Sequence, residues 1–359
     1  MTNIGGKTMN SKERVLKILK GEEADRPACF SGMGNVTTAG LDQLGYKFAT
    51  VHGDAKKLAE TAATSYRLFG YECAVVPYDL CVEAEAIGCV MNPYEDVSNL
   101  LYPTIKEKVC HSQDEMTTFP IPDNISSRGR VPVVCEAIKL LQADIGNEVA
   151  VGTYVLGPFT LAGQLMDLND LLKLSFKKPD LVNATLDRLA TVIIEIAKAY
   201  HAAGADYITV REMGAPTDVL SPKVFKNVIA PHLKRVFEAL AEIKCPAVLH
   251  MCGKTNPIMS IMKGTGAPAI SVEQSNDLLM SRDDIGWDTL LFGNVDAYNV
   301  LVTGSPADVE AAVIKALEGS ADAIWPSCDI WPTAPMENMK AMVETTKKYG
   351  AEKWARKKR

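Results

Sequence analysis

Three side chains far apart in the sequence have the chemistry of a soft metal site: His250, Cys252 and Cys328. In Leu249-His250-Met251-Cys252-Gly253 a β-prone run ends in His-x-Cys. Residues i and i+2 of a strand project from the same face, so this imidazole and thiol point together, and Gly253 then lets the chain turn. The second thiol closes another β-prone run, Asp322-Ala323-Ile324-Trp325-Pro326-Ser327-Cys328-Asp329. Among five histidines and nine cysteines a single His-x-Cys is a weak signal, because a lone histidine is more often a satisfied core group. A cysteine at an equivalent strand end turns the pair into a three-ligand set of one nitrogen and two sulfurs.

Zinc favours four-coordinate nitrogen and sulfur ligation, and its catalytic sites keep three protein ligands and an open position. Sulfur-rich ligation argues against magnesium and calcium, which take oxygen. Two thiolates cancel the charge of Zn²⁺, so an incoming thiol binds as a third thiolate, leaves the complex one net negative charge and stays nucleophilic at neutral pH. Hydrolases use fewer thiolates and a more electrophilic metal, and there water is activated instead.

The elements that carry these residues alternate. β-prone runs lie at Pro27 to Gly32, Glu72 to Asp79, Val149 to Gly157, Asp206 to Glu212, Ala247 to Gly253, Ala269 to Gln274, Leu290 to Val295 and Ala323 to Cys328. Helical patterns lie between several of them, clearest over Leu181 to Ala203, Pro222 to Ile243 and Pro306 to Leu317, the last with Ser305 as N-cap and Pro306 at the first helical position. Eight βα units predict an α/β chain folded as a single (β/α)8 TIM barrel domain over 1–359, with chemistry at the C-terminal ends of the strands. Asn10 and Glu13 read as a capping box opening an extra N-terminal helix at about 10–20, and the stretch 80–147 is long enough to hold an insertion over the barrel mouth or with its own helices.

Composition narrows the function classes. The net charge is −6, and the sole basic run is the short tail Lys357-Lys358-Arg359, which argues against a nucleic-acid surface built on phosphate neutralisation. No apolar run reaches membrane-spanning length and the polar N-terminus lacks a signal-type core, so a cytoplasmic protein is expected. An odd number of scattered cysteines fits reduced thiols. Cys29, Cys73, Cys81, Cys89, Cys135 and Cys245 read as packing residues, Cys110 as a loop neighbour of His111, and His52, His201 and His232 as surface or core groups.

The His250-x-Cys252 and Cys328 pattern resembles the zinc motif of the cobalamin- and thiol-dependent methyltransferases of the uroporphyrinogen decarboxylase superfamily. Similar passages run nearly the whole length: Asp25-Arg26-Pro27, Arg130-Val131-Pro132-Val133, Gly157-Pro158-Phe159-Thr160, Leu220-Ser221-Pro222, Gly293-Asn294-Val295 and Pro335-Met336-Glu337-Asn338. The chain looks like a methylcobamide:coenzyme M methyltransferase, and the resemblance implies a barrel, Zn²⁺ as cofactor, a small thiol acceptor such as coenzyme M, and a methylcobamide carried by a separate corrinoid protein, since this chain lacks the Asp-x-His-x-x-Gly pattern of carrier proteins. True decarboxylases carry an Arg-Gln-Ala-Gly-Arg stretch on the first strand end, where this chain reads Arg26-Pro27-Ala28-Cys29-Phe30-Ser31-Gly32-Met33-Gly34 without paired arginines for a multiply acidic substrate. Tetrahydrofolate or homocysteine as acceptor, a decarboxylase-like activity and a non-catalytic corrinoid-protein-binding role are the rival readings.

Further positions at strand ends complete the expectation. Glu273 matches a family position suited to a labile fourth metal ligand, with a hydrogen-bonded carboxylate in the mouth as the plain alternative. Asp79 and Glu212 are placed to accept a proton or to orient His250 through its second ring nitrogen, or else to hold the structure. Arg211 is a candidate partner for an anionic acceptor group, or for a neighbouring carboxylate; Asn294 is a hydrogen-bond donor in the mouth; Tyr154 and Trp325 line the funnel or pack.

Overall fold

Among the described residues eight strands form in chain order: β1 (Cys73–Val76), β2 (Val90–Asn92), β3 (Thr104–Glu107), β4 (Ala150–Leu156), β5 (Tyr207–Arg211), β6 (Ala247–Met251), β7 (Ala269–Val272) and β8 (Leu290–Phe292). This computed structural model describes residues 9–94 and 100–354. The stretch before residue 9 and the basic tail 357–359 lie outside the described residues, as do residues 95–99 of the long segment after β1.

Six strands make one parallel sheet in the order β1-β4-β5-β6-β7-β8, and β2 pairs with β3 as an antiparallel hairpin. Two further segments close the ring. Ile324 bridges Cys29, and Ala323 and Pro326 bridge Phe292 and Val295, all in parallel. The Glu72 N–H donates to the Cys29 carbonyl at 3.0 Å and so joins the first segment to β1. All eight β-prone runs therefore take barrel positions, but the first and last hold by isolated bridges. Pro27 and Pro326 sit in these two runs, and each lacks a ladder donor.

The wall is apolar on both faces because helices cover its outside; all seven residues of β4 are buried. Aromatic rings fill its inside. Phe30 packs edge-on against Trp325 at 5.1 Å and against Phe292 at 5.4 Å, and Trp325 is fully buried, so this tryptophan packs in the core. Gly32 is needed beside them, since a Cβ there would stand 1.8 Å from Thr209 Oγ1.

The N-terminal helix, Ser11–Leu19, closes the opposite end of the barrel from the strand C-termini. Asn10 Oδ1 accepts from the Glu13 N–H at 2.8 Å, and Val15, Ile18 and Leu19 form the buried face. Its Arg14 and the nearby Arg26 both pair with the fully buried Glu72, at 2.5 and 2.9 Å. The helical segments follow the expected pattern with one departure. Between Pro222–Val224 and Ala230–Glu242 the chain makes a π-turn at Phe225–Ile229, because Pro231 has no N–H for the regular ladder. Pro306–Glu318 begins with a full capping box between Ser305 and Asp308.

After β1 the chain forms a short helix, Val82–Ile87, then the hairpin, then the helix Val131–Asp144. Leu100, Tyr102 and Pro103 from this stretch form part of the wall of a cavity at the barrel mouth.

Candidate metal centre

His250 is the penultimate residue of β6, and Cys252 follows the strand directly. Alternation along the chain aims both side chains into the mouth, where Cys328 arrives after the bridged segment 323–326. His250 Nε2 lies 3.3 Å from Cys252 Sγ, which lies 3.1 Å from Cys328 Sγ, and the three donor atoms fall within 4.8 Å of one another. Ligands about 2.0 to 2.3 Å from one tetrahedral ion stand about 3 to 4 Å apart, so small side-chain shifts allow all three to share a zinc ion. Among the described residues, this is the histidine, cysteine and acidic cluster that converges in this way.

The hydrogen bond between their sulfurs separates this pair of thiols from the others. Cys73, Cys81 and Cys245 are each pushed up to about 12 by desolvation. Cys328 is instead lowered, first by the hydrogen bond it shares with Cys252 and then, against burial, by His250 and the charge of Arg211. Cys252 moves the opposite way, through the same shared bond and through burial. A proton shared between the two sulfurs favours thiolate character on Cys328, and thiolate is the form a metal binds.

The second ring nitrogen of His250 meets a residue the sequence reading did not single out. Nδ1 lies 3.1 Å from Ser271 Oγ, and the two residues are direct ladder partners of β6 and β7. Aligning the strands by register would have revealed it. Asp79 and Glu212, two candidates for that place, bond elsewhere, in keeping with the alternative that they hold the structure.

Asp79 binds Arg130 at 2.6 and 2.8 Å and stands 3.2 Å from His52 Nδ1. Burial alone would raise its pKa, but the bonds from His52 and Arg130 hold it well below the carboxylate range. Glu212 accepts from the N–H groups of Phe159 and Thr160 at 3.0 and 2.8 Å, at the start of the helix Pro158–Leu165. Burial pushes its carboxyl up to about 7 despite those bonds.

The loop after Cys252 is held by a knot of amides. Gly253 has φ +76°, and a Cβ there would stand 2.7 Å from the Pro216 side chain. Its N–H donates to Glu273, which places that carboxylate beside Cys252. Asn276 accepts from the Thr255 N–H at 2.6 Å and donates to the Gly253 carbonyl at 2.8 Å. Asn294 donates to the carbonyls of Glu273 and Asn276 at 3.1 and 2.9 Å. Tyr154 is buried, and its hydroxyl donates to the Asp79 carbonyl at 2.7 Å.

The centre opens into a cavity of about 730 Å³ whose walls include Cys328, Asp329, Tyr78 and Tyr102. Tyr298 and Trp331 stand on its walls, 48% and 51% exposed, with ring centroids 5.3 Å apart. Arg26 is at the other end of the barrel, paired with Glu72.

The sequence pattern described as uroporphyrinogen decarboxylase (URO-D) matches residues 10–349. The chain belongs to that family. Within the uroporphyrinogen decarboxylase family it is similar to a methylcobamide:CoM methyltransferase, MtaA, of Methanosarcina barkeri, 32% identical over 95% of this chain and 98% of that protein. It is also similar to the methylcobamide:CoM methyltransferase MtbA of Methanosarcina mazei, 31% identical over 94% and 98% of the two chains. A solved methyltransferase structure from Methanosarcina mazei superposes with a TM-score of 0.89 at 31% identity, covering 95% of this chain and 99% of that one.

Proposed function

We propose that this protein is a zinc-dependent methyltransferase that moves a methyl group from a methylated corrinoid protein to a small thiol such as coenzyme M. The observation that carries the reading is the convergence of His250, Cys252 and Cys328 within 4.8 Å at the C-terminal mouth of the barrel. The relatives' activity supports it, and the absence of an arginine pair on the first strand weighs against decarboxylation of a multiply acidic substrate.

His250, Cys252 and Cys328 would hold the zinc. When bound, the metal supplies the Lewis acidity that lets a thiol lose its proton near neutral pH. The chain's own contribution is positional. Ser271 fixes the ring of His250, Gly253 and the Asn276 amide fix the turn after Cys252, and the cavity walls keep water from the reacting sulfur. In the transfer a sulfur–carbon bond forms as the cobalt–carbon bond breaks, and the bonding pair stays on cobalt, which leaves as Co(I). The exposed Tyr298 and Trp331 on the cavity walls support docking of the corrinoid carrier at this mouth. No helix among the described residues is long and apolar enough to cross a membrane, which is compatible with a cytoplasmic site of action.

The test offers methylcobalamin with 2-mercaptoethanesulfonate, homocysteine or tetrahydrofolate in separate reactions and follows the methyl–cobalt absorption. Loss of that absorption with a thiol supports the reading. Transfer to tetrahydrofolate alone, or to none, overturns it. Ser271→Ala is expected to weaken zinc binding about 10- to 100-fold, the usual cost of losing a histidine's outer partner, measured by competition with a chromophoric chelator. Unchanged affinity would show that Ser271 does not orient the ring.

A further inference from the structure

The two sulfurs that converge for a metal are also close enough to bond to each other. Cys252 Sγ and Cys328 Sγ stand 3.1 Å apart. Two sulfurs on one tetrahedral zinc ion stand roughly 3.8 Å apart, and a disulfide is about 2.05 Å long, so the pair lies between the two states. Cys252 follows β6 and Cys328 follows the bridged segment 323–326, so rotation of two side chains can close the gap without moving the barrel wall. The other thiols are placed differently. Those of Cys73, Cys81, Cys110 and Cys245 donate to backbone carbonyls.

Access separates the two sulfurs. Cys328 forms part of the wall of the mouth cavity of about 730 Å³, whereas Cys252 does not line it and stands 3.3 Å from His250 Nε2. A small reagent that enters by the mouth therefore meets the Cys328 sulfur first, with Cys252 within reach behind it. Asp329 Oδ2 is 3.8 Å from Cys328 Sγ, and its negative charge would oppose a thiolate there. The fully buried Arg211 offsets it: Nη1 donates to Asp329 Oδ1 at 3.0 Å and Nη2 to Oδ2. The surroundings thus leave Cys328 free to act as a nucleophile.

We infer that the metal-free Cys252–Cys328 pair is a reversible redox site, which a hydroperoxide converts to a disulfide that excludes zinc and a small thiol restores. In the first step the Cys328 sulfur attacks an oxygen of hydrogen peroxide and the O–O bond breaks. Sulfur keeps the hydroxyl as a sulfenic acid, and the departing hydroxide takes the thiol proton and leaves as water. In the second step the Cys252 sulfur attacks Cys328, the S–O bond breaks, and a second water leaves with the Cys252 proton. The two thiols lose two electrons and two protons, and the peroxide is reduced to water. Two molecules of a small thiol reverse the change and become its disulfide, attacking first at the accessible Cys328. The disulfide draws the sulfurs too close to share an ion and removes both negative charges, so zinc has only His250 to hold it. Bound zinc would keep the sulfurs apart and their electron pairs engaged. The inference rests on the zinc reading of the triad and adds a consequence: a thiol of the class that the loaded site methylates also rescues the oxidised one.

The experiment treats the full-length protein, metal-free or zinc-loaded, with hydrogen peroxide, and follows free thiols, intact mass without reductant, and peptide maps. The metal-free protein is expected to lose two of its nine thiols, to become lighter by two hydrogens, and to yield a peptide that links Cys252 to Cys328. It should then bind no zinc in competition with a chromophoric chelator until 2-mercaptoethanol is added. The zinc-loaded protein should form the link at least about 10-fold more slowly. Cys252→Ser should stop at a sulfenic acid on Cys328, captured by dimedone, while Cys328→Ser should give far less capture at Cys252. A link between other cysteines, no link, or equal rates with and without zinc overturns the inference, and these readouts need no variant to fold. Equal capture in the two variants overturns it as well. Reduced protein that binds no zinc overturns the zinc reading instead, whatever the disulfide result.

Discussion

Cys328→Ala is expected to leave the protein folded, to lose zinc to a mild chelator, and to transfer methyl groups at least about 1,000-fold more slowly, a loss of about 4 kcal/mol at the transition state. The size of the effect comes from what two sulfurs do together. With zinc bound, His250, Cys252 and Cys328 would form a donor set with two negative charges, one on each sulfur. Removing one sulfur leaves a neutral imidazole and a single thiol, and that thiol loses the partner with which it shares a proton at 3.1 Å. A metal held by the remaining pair is more electrophilic and less firmly bound, so it favours water chemistry over a nucleophilic thiolate. The fold should tolerate the change, because Cys328 lies beyond the bridged segment 323–326 and is not among the buried core residues. Metal analysis after dialysis, with the methyl–cobalt assay on the same sample, measures both quantities. A variant that keeps stoichiometric zinc and full turnover would remove the foundation of the proposed function.

Two of these residues were legible because a strand has a period of two: His250 and Cys252 point together wherever β6 is placed. The third was legible only through the fold class, since residue 328 meets 252 when the eighth segment closes against the first. Local chemistry could not supply the pairings across the mouth. Arg211 and Asp329 are 118 positions apart, and either residue alone reads as an ordinary charged group at a strand end. Ser271 was hidden for a different reason: a serine in an apolar run carries no signal until the register sets it beside His250. His52 read as a surface or core group and is buried against Asp79, because the loop that brings it there has no periodicity to follow. The helical departure at Phe225–Ile229 was foreseeable in kind, since Pro231 is plain in the sequence, but the form of the accommodation was not.

Asp79 tests whether a carboxylate at a strand end moves protons or holds the wall, and Asp79→Ala is expected to cost about 3–5 kcal/mol of stability, the range for removing one partner of a buried ion pair. The carboxylate ties three elements together. Arg130, at the entrance to the helix Val131–Asp144, donates two bonds to it, His52 stands against it from the turn after Phe48–Thr50, and the Cys81 N–H donates to it at 3.1 Å. Without it the Arg130 guanidinium keeps only its bond to Glu85 at 2.6 Å and the longer one to the His52 carbonyl at 3.4 Å, so a buried positive charge is left partly uncompensated. A general base works best with a pKa near the operating pH, and Asp79 is held far below it by the same partners. The pH dependence gives the second readout. A carboxylate whose folded-state pKa lies below its unfolded value of about 3.9 contributes full stability above that value and loses it progressively as the pH falls from there through the folded-state pKa. Urea unfolding of the native protein should therefore weaken steeply below about pH 4, with Asp79→Ala showing a shallower decline from a lower plateau. A variant with native stability and a flat, greatly reduced rate from pH 6 to 9 would instead place Asp79 in the proton path, and the wall-holding role would be wrong.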